Sequence, residues 1–558
     1  MHALRRLLCS VILVASCGAA ASALPTDGIA ADVSAFTRVA TLVGPASPTQ
    51  KVRLVVHLAY PDPAGVEAFA RAVNDPGSPE YGAFLTPDRF AANFAPSSHG
   101  YSTVEYVLLG SGMQILDVYP NRKVIDVIAT VAQADALFST VIQTYSYHNV
   151  LSYANGKPAS IPKALDGLIV AVAGFDDFAR KTARPPAVAR PQLGGGYAPV
   201  DIATAYDAPR RVDPRLDGRG TTIAIETAYD FLDSDVAAFW QAFGVRRSGG
   251  LARAFVDDPL HVGTVVPGQT MESTLDVEQT SAGAPGANIV VYEAADALNA
   301  TFDDLYERTV IDPRIDIVST SWGSCEIGDD RSELAADEDL FVQAAAEGQT
   351  RFAASGDNGS RDCAQNAPPY GLPGEPNPTN VDFPASSSYV AAVGGTTLEL
   401  GPLRAWKAER AWSGSGGGAS LAFAVPPYQQ GIGTLANRTE RNVPDVALDA
   451  DPATPYAFAY GGSFATPVGG TSAAAPNAAV LFAQFAQHAN HRLGLAQSSL
   501  YDGLRRGAYP GSGFHDTLFG GNGDFRASPG YDDVTGLGSL DAAAFMLGMP
   551  RTAAQTRL

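Results

Sequence analysis

The chain has 558 residues and a formal charge of −20, with 38 Lys plus Arg against 58 Asp plus Glu. That length exceeds the ~250–300 residues at which a single core stops growing, so at least two domains are expected. The acidity, a count of six lysines and the lack of a G-x-x-x-x-G-K-[ST] or strand-following Rossmann fingerprint argue against nucleic-acid and nucleotide partners.

In chain order, residues 1–23 combine Arg5 and Arg6, an apolar run from Leu7 to Ala15 and small residues ending at Ala23. This is the pattern of a cleaved export signal, and a secreted protein, extracellular or periplasmic, is expected. A weaker alternative is a lipoprotein box at Val14 to Cys17, which would tether the protein through Cys17. Residues 24–185 read as a small α/β unit, with strands at Val52–Tyr60 and Val124–Ile128 and helices at Gly65–Val73 and Val131–Val141. A basic, Pro-containing segment runs from Ala179 to Gly196, and its residues 186–196 suit a linker and maturation region.

Residues 197–546 repeat the strand-to-helix pattern on a larger scale, leaving 547–558 as a tail. Thr222–Ile225, Ile289–Tyr292, Ile317–Ser321, Phe352–Ala354 and Tyr389–Val393 are short apolar strands, with helices at Asp233–Phe243 and Asp339–Glu347. Such strands suit a parallel sheet covered on both faces. The expected fold is α/β, a doubly wound, mostly parallel sheet with sites at the carboxyl ends of its strands. Cys9 and Cys17 belong to the export segment, and Cys325 and Cys363 remain. Export favours a disulfide staple between them, whereas a catalytic thiol would need a His partner that neither has nearby.

Near the end of this core stands GGTSAAAP, in which Gly469 and Gly470 allow a tight entry into a helix running from Ala473 to about Asn490. Ser472 would sit at that helix N-terminus, where it is either a cap or a nucleophile. A serine nucleophile normally needs a histidine base. His261, His488, His491 and His515 are the histidines of this unit, and none lies in a recognisable catalytic segment. Carboxylates offer another base: Glu272 and Asp276 stand four residues apart on a short helix that Thr270 would cap. Crowding them in a cleft would make a proton-sharing pair.

GGTSAAAP with Ser472, the E-x-x-x-D-x-E segment with Glu272, Asp276 and Glu278, and SGDNGS with Asp357 together resemble the sedolisin family, the serine-carboxyl peptidases. YGAFLTPDRFAANFAPS, from Tyr81 to Ser97, resembles the activation domain of kumamolisin-type precursors, and the likeness spans residues 27 to 546. The resemblance implies a subtilisin-like catalytic fold, Ser472 as nucleophile, Glu272 as general base, Asp276 holding and tuning Glu272, and Asp357 stabilising the oxyanion. It also implies a network behind the base that includes Glu226 and Trp322, and a Gly-rich segment, Ser413 to Gly418, beside the substrate cleft. One Ca2+ ion is implied in the C-terminal loop, with carboxylates from Asp516 and Asp532 and carbonyl oxygens from Thr517, Ser528 and Gly530. An acid-acting serine endopeptidase made as a self-activating zymogen is expected. Its partners would be a peptide substrate and its own propeptide, with no obligatory protein partner and a monomeric state. A tripeptidyl aminopeptidase and a non-catalytic peptide-binding module are the alternatives.

Overall fold

The computed structural model describes residues 28–183, 196–256, 263, 265–363, 377–462, 464, 468–505 and 513–549. The expected export signal with Cys9 and Cys17, linker residues 186–195, His261 and tail residues 550–558 lie outside the described residues. Among the described residues no helix is long and apolar enough to cross a membrane.

The first unit is built around β1 (Lys51–Leu58), followed by α1 (Pro63–Asn74), α2 (Pro87–Phe94) and α3 (Ser98–Gly110). Then come β2 (Gln114–Val118), β3 (Val124–Thr130), α4 (Val131–Phe138) and β4 (Ile169–Ala173). The four strands form one antiparallel sheet in the order β2-β3-β1-β4. Because successive strand residues face opposite ways, Val52, Leu54, Val56 and Leu58 enter this unit's own core, while Val55 packs into the core of the second unit. Burial on both faces is why β1 reads as an apolar run. Asp62 caps α1 by accepting from the Gly65 N–H at 3.0 Å, and Pro63 opens it. α4 stops at Phe138, earlier than the expected Val141, because Ser139 turns left-handed at φ 52°.

A two-residue strand, β5 (Thr182–Ala183), leads out of this unit. The second unit contains β6 (Thr222–Ala228), α5 (Asp233–Phe243), β7 (Leu251–Phe255), α6 (Thr270–Gly283), β8 (Asn288–Ala294) and α7 (Asn299–Val310). It continues through β9 (Ile317–Thr320), β10 (Trp322–Cys325), α8 (Arg331–Ala346), β11 (Thr350–Ala354) and β12 (Asp382–Phe383). β13 (Ala391–Leu400), β14 (Trp406–Ala411), β15 (Val446–Asp449) and α9 (Thr471–Ala489) complete its frame. The main sheet has the order β7-β8-β6-β9-β11-β13-β14, with β15 also on β13. All its pairings are parallel except β13 with β14. In register, Ile223 lies opposite both Ile289 and Ile317, and Phe352 opposite Ala391. The expected strands and doubly wound architecture are present, with β13 running well past the expected Val393.

α9 is buried from Thr471 to Ala486 and packs between the sheet and α6. The two helices approach so closely that a Cβ on Gly283 would fall 2.5 Å from Val480 Cγ1. This contact sets Glu272 and Ser472, on neighbouring helices, against each other.

The end of the first unit is held by the second. Residues 179–183, assigned from the sequence to the first unit, are hydrogen-bonded to the second: Lys181 N–H donates to Ala297 O at 2.8 Å, and β5 pairs antiparallel with β10, Ala183 opposite Trp322. The first unit rests on α7 and α8 through ion pairs from Lys123 to Asp339 at 2.7 Å and from Arg53 to Asp304 at 3.3 Å.

Candidate active site

α9 begins at Thr471 with Gly470 as its N-cap at φ 112°. A Cβ on Gly470 would lie 2.7 Å from Asp357 Oδ2. Residue 470 therefore has to be glycine both for its backbone angle and for the carboxyl group beside it. Ser472 follows in the first turn, where amide N–H groups lack intrahelical acceptors, and its side chain is buried. Pro476 stands four residues later inside the helix and has no N–H to offer the Ser472 carbonyl. Ser321, just past β9, fills that gap: its hydroxyl lies 3.2 Å from the Ser472 carbonyl oxygen and 2.8 Å from Asp276 Oδ1.

Glu272 and Asp276 occupy successive turns of α6, and both are buried. α6 starts at Thr270, so this residue is its first member and not its cap; the Thr270 hydroxyl turns back to Val266. Neither Glu272 oxygen makes a hydrogen bond of regular geometry. Burial pushes the Glu272 carboxyl well above the carboxylate range, the charge of Asp276 pushes it further, and the nearby Ser472 hydroxyl pulls it back. Burial likewise raises Asp276, opposed by the Ser321 hydroxyl. Two adjacent charges cannot both persist in this setting, so the pair holds a proton between them.

Asp357 lies beyond the carboxyl end of β11. Its Oδ1 accepts from both the Thr471 N–H and the Thr471 hydroxyl at 2.8 Å. The Gly-rich segment 413–418 closes against the same strand end: the Gly416 N–H donates to Gly356 O at 2.8 Å, and the Ser355 hydroxyl donates to Gly416 O at 2.7 Å.

Of the two supporting residues, Trp322 joins the network beside the base and Glu226 does not. Glu226 faces away from the base: its Oε1 accepts from Thr309 Oγ1 at 2.6 Å and pairs with Arg351. The next residue, Thr227, points the other way along β6, as strand alternation demands. Trp322 Nε1 donates to Thr227 Oγ1 at 3.0 Å, and that hydroxyl lies 2.8 Å from Ser273 Oγ, beside Glu272 on α6. Sequence reasoning missed Ser321, Thr227 and Ser273. Ser321 adjoins Trp322 in STSWGS, and Thr227 follows Glu226, so both were one residue from a quoted position. Glu278 Oε2 accepts from the Ala459 N–H at 3.1 Å, and burial pushes its carboxyl up to about 10. The other histidines are placed elsewhere: His488 follows Ser472 by 16 residues, roughly 24 Å along α9, His491 lies beyond the helix end at Ala489, and His515 stacks on Trp406.

Cys325, at the end of β10, is disulfide-bonded to Cys363 with a Cα–Cα distance of 5.0 Å. In the C-terminal loop, Asp532 Oδ2 accepts from the Ser528 N–H at 3.0 Å and Asp516 Oδ2 from the Gly530 N–H at 3.2 Å. Two carboxylates thus converge on the 528–532 turn, and burial raises Asp532 to about 6. An all-oxygen donor set of this kind fits a hard cation such as Ca2+.

Residues 39–178 match the family model described as "Pro-kumamolisin, activation domain", and residues 255–518 match that of the "Subtilase family". Kumamolisin of Bacillus sp. (strain MN-32) is 36% identical over 412 residues, covering 68% of this chain and 70% of its own length. Bovine (Bos taurus) tripeptidyl-peptidase 1 is 27% identical, covering 90% of this chain and 92% of its own. The structure of Pseudomonas sedolisin, a serine-carboxyl proteinase complexed with two molecules of pseudo-iodotyrostatin, superposes with a TM-score of 0.56 at 27% identity, covering 64% of this chain and 98% of that one.

Proposed function

The chain belongs to the sedolisin family of serine-carboxyl peptidases, and on that premise we propose that it is a secreted, acid-acting endopeptidase that matures itself from a precursor. The observation that carries this reading is the meeting of Ser472, Glu272 and Asp276 in one buried cluster with Asp357 at the start of the same helix.

Ser472 Oγ attacks the peptide carbonyl while Glu272 takes its proton as general base. Asp276 shares the cluster's retained proton with Glu272, and the Ser321 hydroxyl donates to Asp276 Oδ1. Asp357, with Oδ1 engaged by Thr471, must carry a proton to donate toward the oxygen that gains charge. Glu272 returns its proton to the leaving amine, and water hydrolyses the acyl-enzyme by the reverse sequence. Asp516 and Asp532, with the carbonyls of Thr517, Ser528 and Gly530, would hold Ca2+, whose charge would neutralise two acids and fix the loop. Maturation falls within residues 186–196, separating the activation domain from a catalytic domain that begins near Tyr197.

The test is cleavage of N-terminally blocked and free peptides across acidic pH by matured enzyme. An endopeptidase cuts both. Release of tripeptides from free termini alone would favour the exopeptidase reading instead. Ser472→Ala is expected to lower kcat at least ~10⁴-fold while the protein stays folded. The parent's kcat/KM is expected to be bell-shaped with an acidic maximum, because the acid limb protonates Glu272 and the alkaline limb ionises Asp357. Parent-like cleavage by Ser472→Ala would overturn the proposal.

A further inference from the structure

Three side chains remote from the Ser472 cluster converge where the two units meet. His57 stands on β1, Asp303 on α7 and Asp337 on α8, and one ligating atom from each lies within 4.8 Å of the other two. All three are completely buried. His57 Nε2 lies 3.0 Å from Asp303 Oδ2. His57 Nδ1, Asp303 Oδ1 and both carboxylate oxygens of Asp337 have no hydrogen-bond partner. Burying a carboxylate in this condition is costly unless a cation meets it.

The nearby cations are engaged by other acids. Lys123 pairs with Asp339 at 2.7 Å, Lys181 with Asp329 at 3.4 Å, and Arg53 with Asp126 at 2.7 Å and Asp304 at 3.3 Å. Glu333 on α8 adds another buried carboxyl close to Asp303 and Asp337. Asp303, Glu333 and Asp337 are left with the His57 imidazole and the more distant fields of Lys181 and, at Asp303, Arg53. Burial holds that imidazole neutral, with its pKa lowered to about 4, so its nitrogen keeps the lone pair a ligand needs.

We propose that His57, Asp303 and Asp337 form a divalent-metal site in the precursor that takes a cation of the Zn2+ or Mn2+ class and clamps the first unit onto α7 and α8. One imidazole nitrogen with two carboxylate oxygens suits such a cation, and the two acids balance its charge. The ligands come from both units, so the site exists only while they are associated. Loss of the first unit after maturation removes His57 and dismantles it. This clamp is separate from the Asp516–Asp532 loop and does not depend on how peptides are cleaved.

The test uses the full-length precursor carrying Ser472→Ala, which keeps it intact, near neutral pH with Ca2+ in excess. Zn2+ and, separately, Mn2+ are titrated, bound metal is measured by elemental mass spectrometry after gel filtration, and thermal unfolding is followed in parallel. The expected result is one tightly held equivalent of metal and a rising Tm. His57→Gln and Asp337→Asn should each weaken binding at least ~10-fold. Asp337→Asn keeps the side-chain shape and removes a buried charge, so it carries the comparison if His57→Gln does not fold. Retention of neither metal by the folded precursor, or equal binding in folded Asp337→Asn, would overturn the proposal.

Discussion

At the scale of single residues, Ser321 joins the carboxyl pair to the backbone of Ser472. Its hydroxyl favours the charged forms of both Glu272 and Asp276. Removing it in Ser321→Ala raises the pKa of the pair, so the acid limb of kcat/KM is expected to move to higher pH. A fall in kcat of about tenfold with little change in KM should accompany the shift. A pH–rate profile of the matured variant checks this, and an unmoved acid limb would reduce Ser321 to packing. The sequence disclosed Ser472, Glu272, Asp276 and Asp357 because the resemblance fastens on motifs. It did not disclose Ser321 or Thr227, whose roles arise from contacts between β6, β9, α6 and α9 that are distant along the chain. Glu226 and Thr227 illustrate the difficulty: a shift of one residue along a strand exchanges its two faces, and β6 is buried on both.

At the scale of elements, the start of α4 at Val131, opened by the Thr130–Gln133 capping box, was legible, whereas α8 starts at Arg331 behind an Asp330 cap, eight residues before the expected Asp339. Ends governed by a left-handed residue, such as Ser139, were not legible, because serine does not announce that conformation. The start of α9 is governed by Gly470. Gly470→Ala would force a side chain against Asp357 and strain a backbone at φ 112°, a cost of about 1–3 kcal/mol from the backbone alone. The expected outcome is a protein that folds with reduced Tm and loses at least ~100-fold in kcat, since both the Asp357 carboxyl and Ser472 must shift. Peptide cleavage and thermal unfolding on the same preparation check it; unchanged kcat would mean that Asp357 takes no part.

For the whole molecule, the doubly wound sheet was legible because its strands are nearly continuous apolar runs, whereas the pairing of β5 with β10 was not, since it joins segments far apart in the chain. Many carboxyls are buried with raised pKa values: burial lifts Glu326 and Glu338 to about 7 and Glu307 and Glu347 to about 8. Between the ordinary carboxylate range and those values the folded protein holds more protons than the unfolded chain, so its stability is full at low pH and falls as pH rises. Precursor Tm is therefore expected to decline from about pH 5 to about pH 8, the reverse of ordinary acid denaturation. Calorimetry across that range checks the sign, and a Tm that rises throughout would refute it.

The pairing of β5 with β10 bears on the kinetics of maturation. Residues 184–196 are bounded by Ala183, held opposite Trp322, and by Tyr197, whose N–H donates to Pro455 O at 2.6 Å. A segment tethered at both ends to the body that cuts it meets the catalytic serine at an effective concentration in the millimolar range, far above that of free precursor in solution. The first cut is thus expected to be unimolecular, with a half-life that does not change on dilution. A half-life that lengthens in proportion to dilution would mean that one molecule matures another.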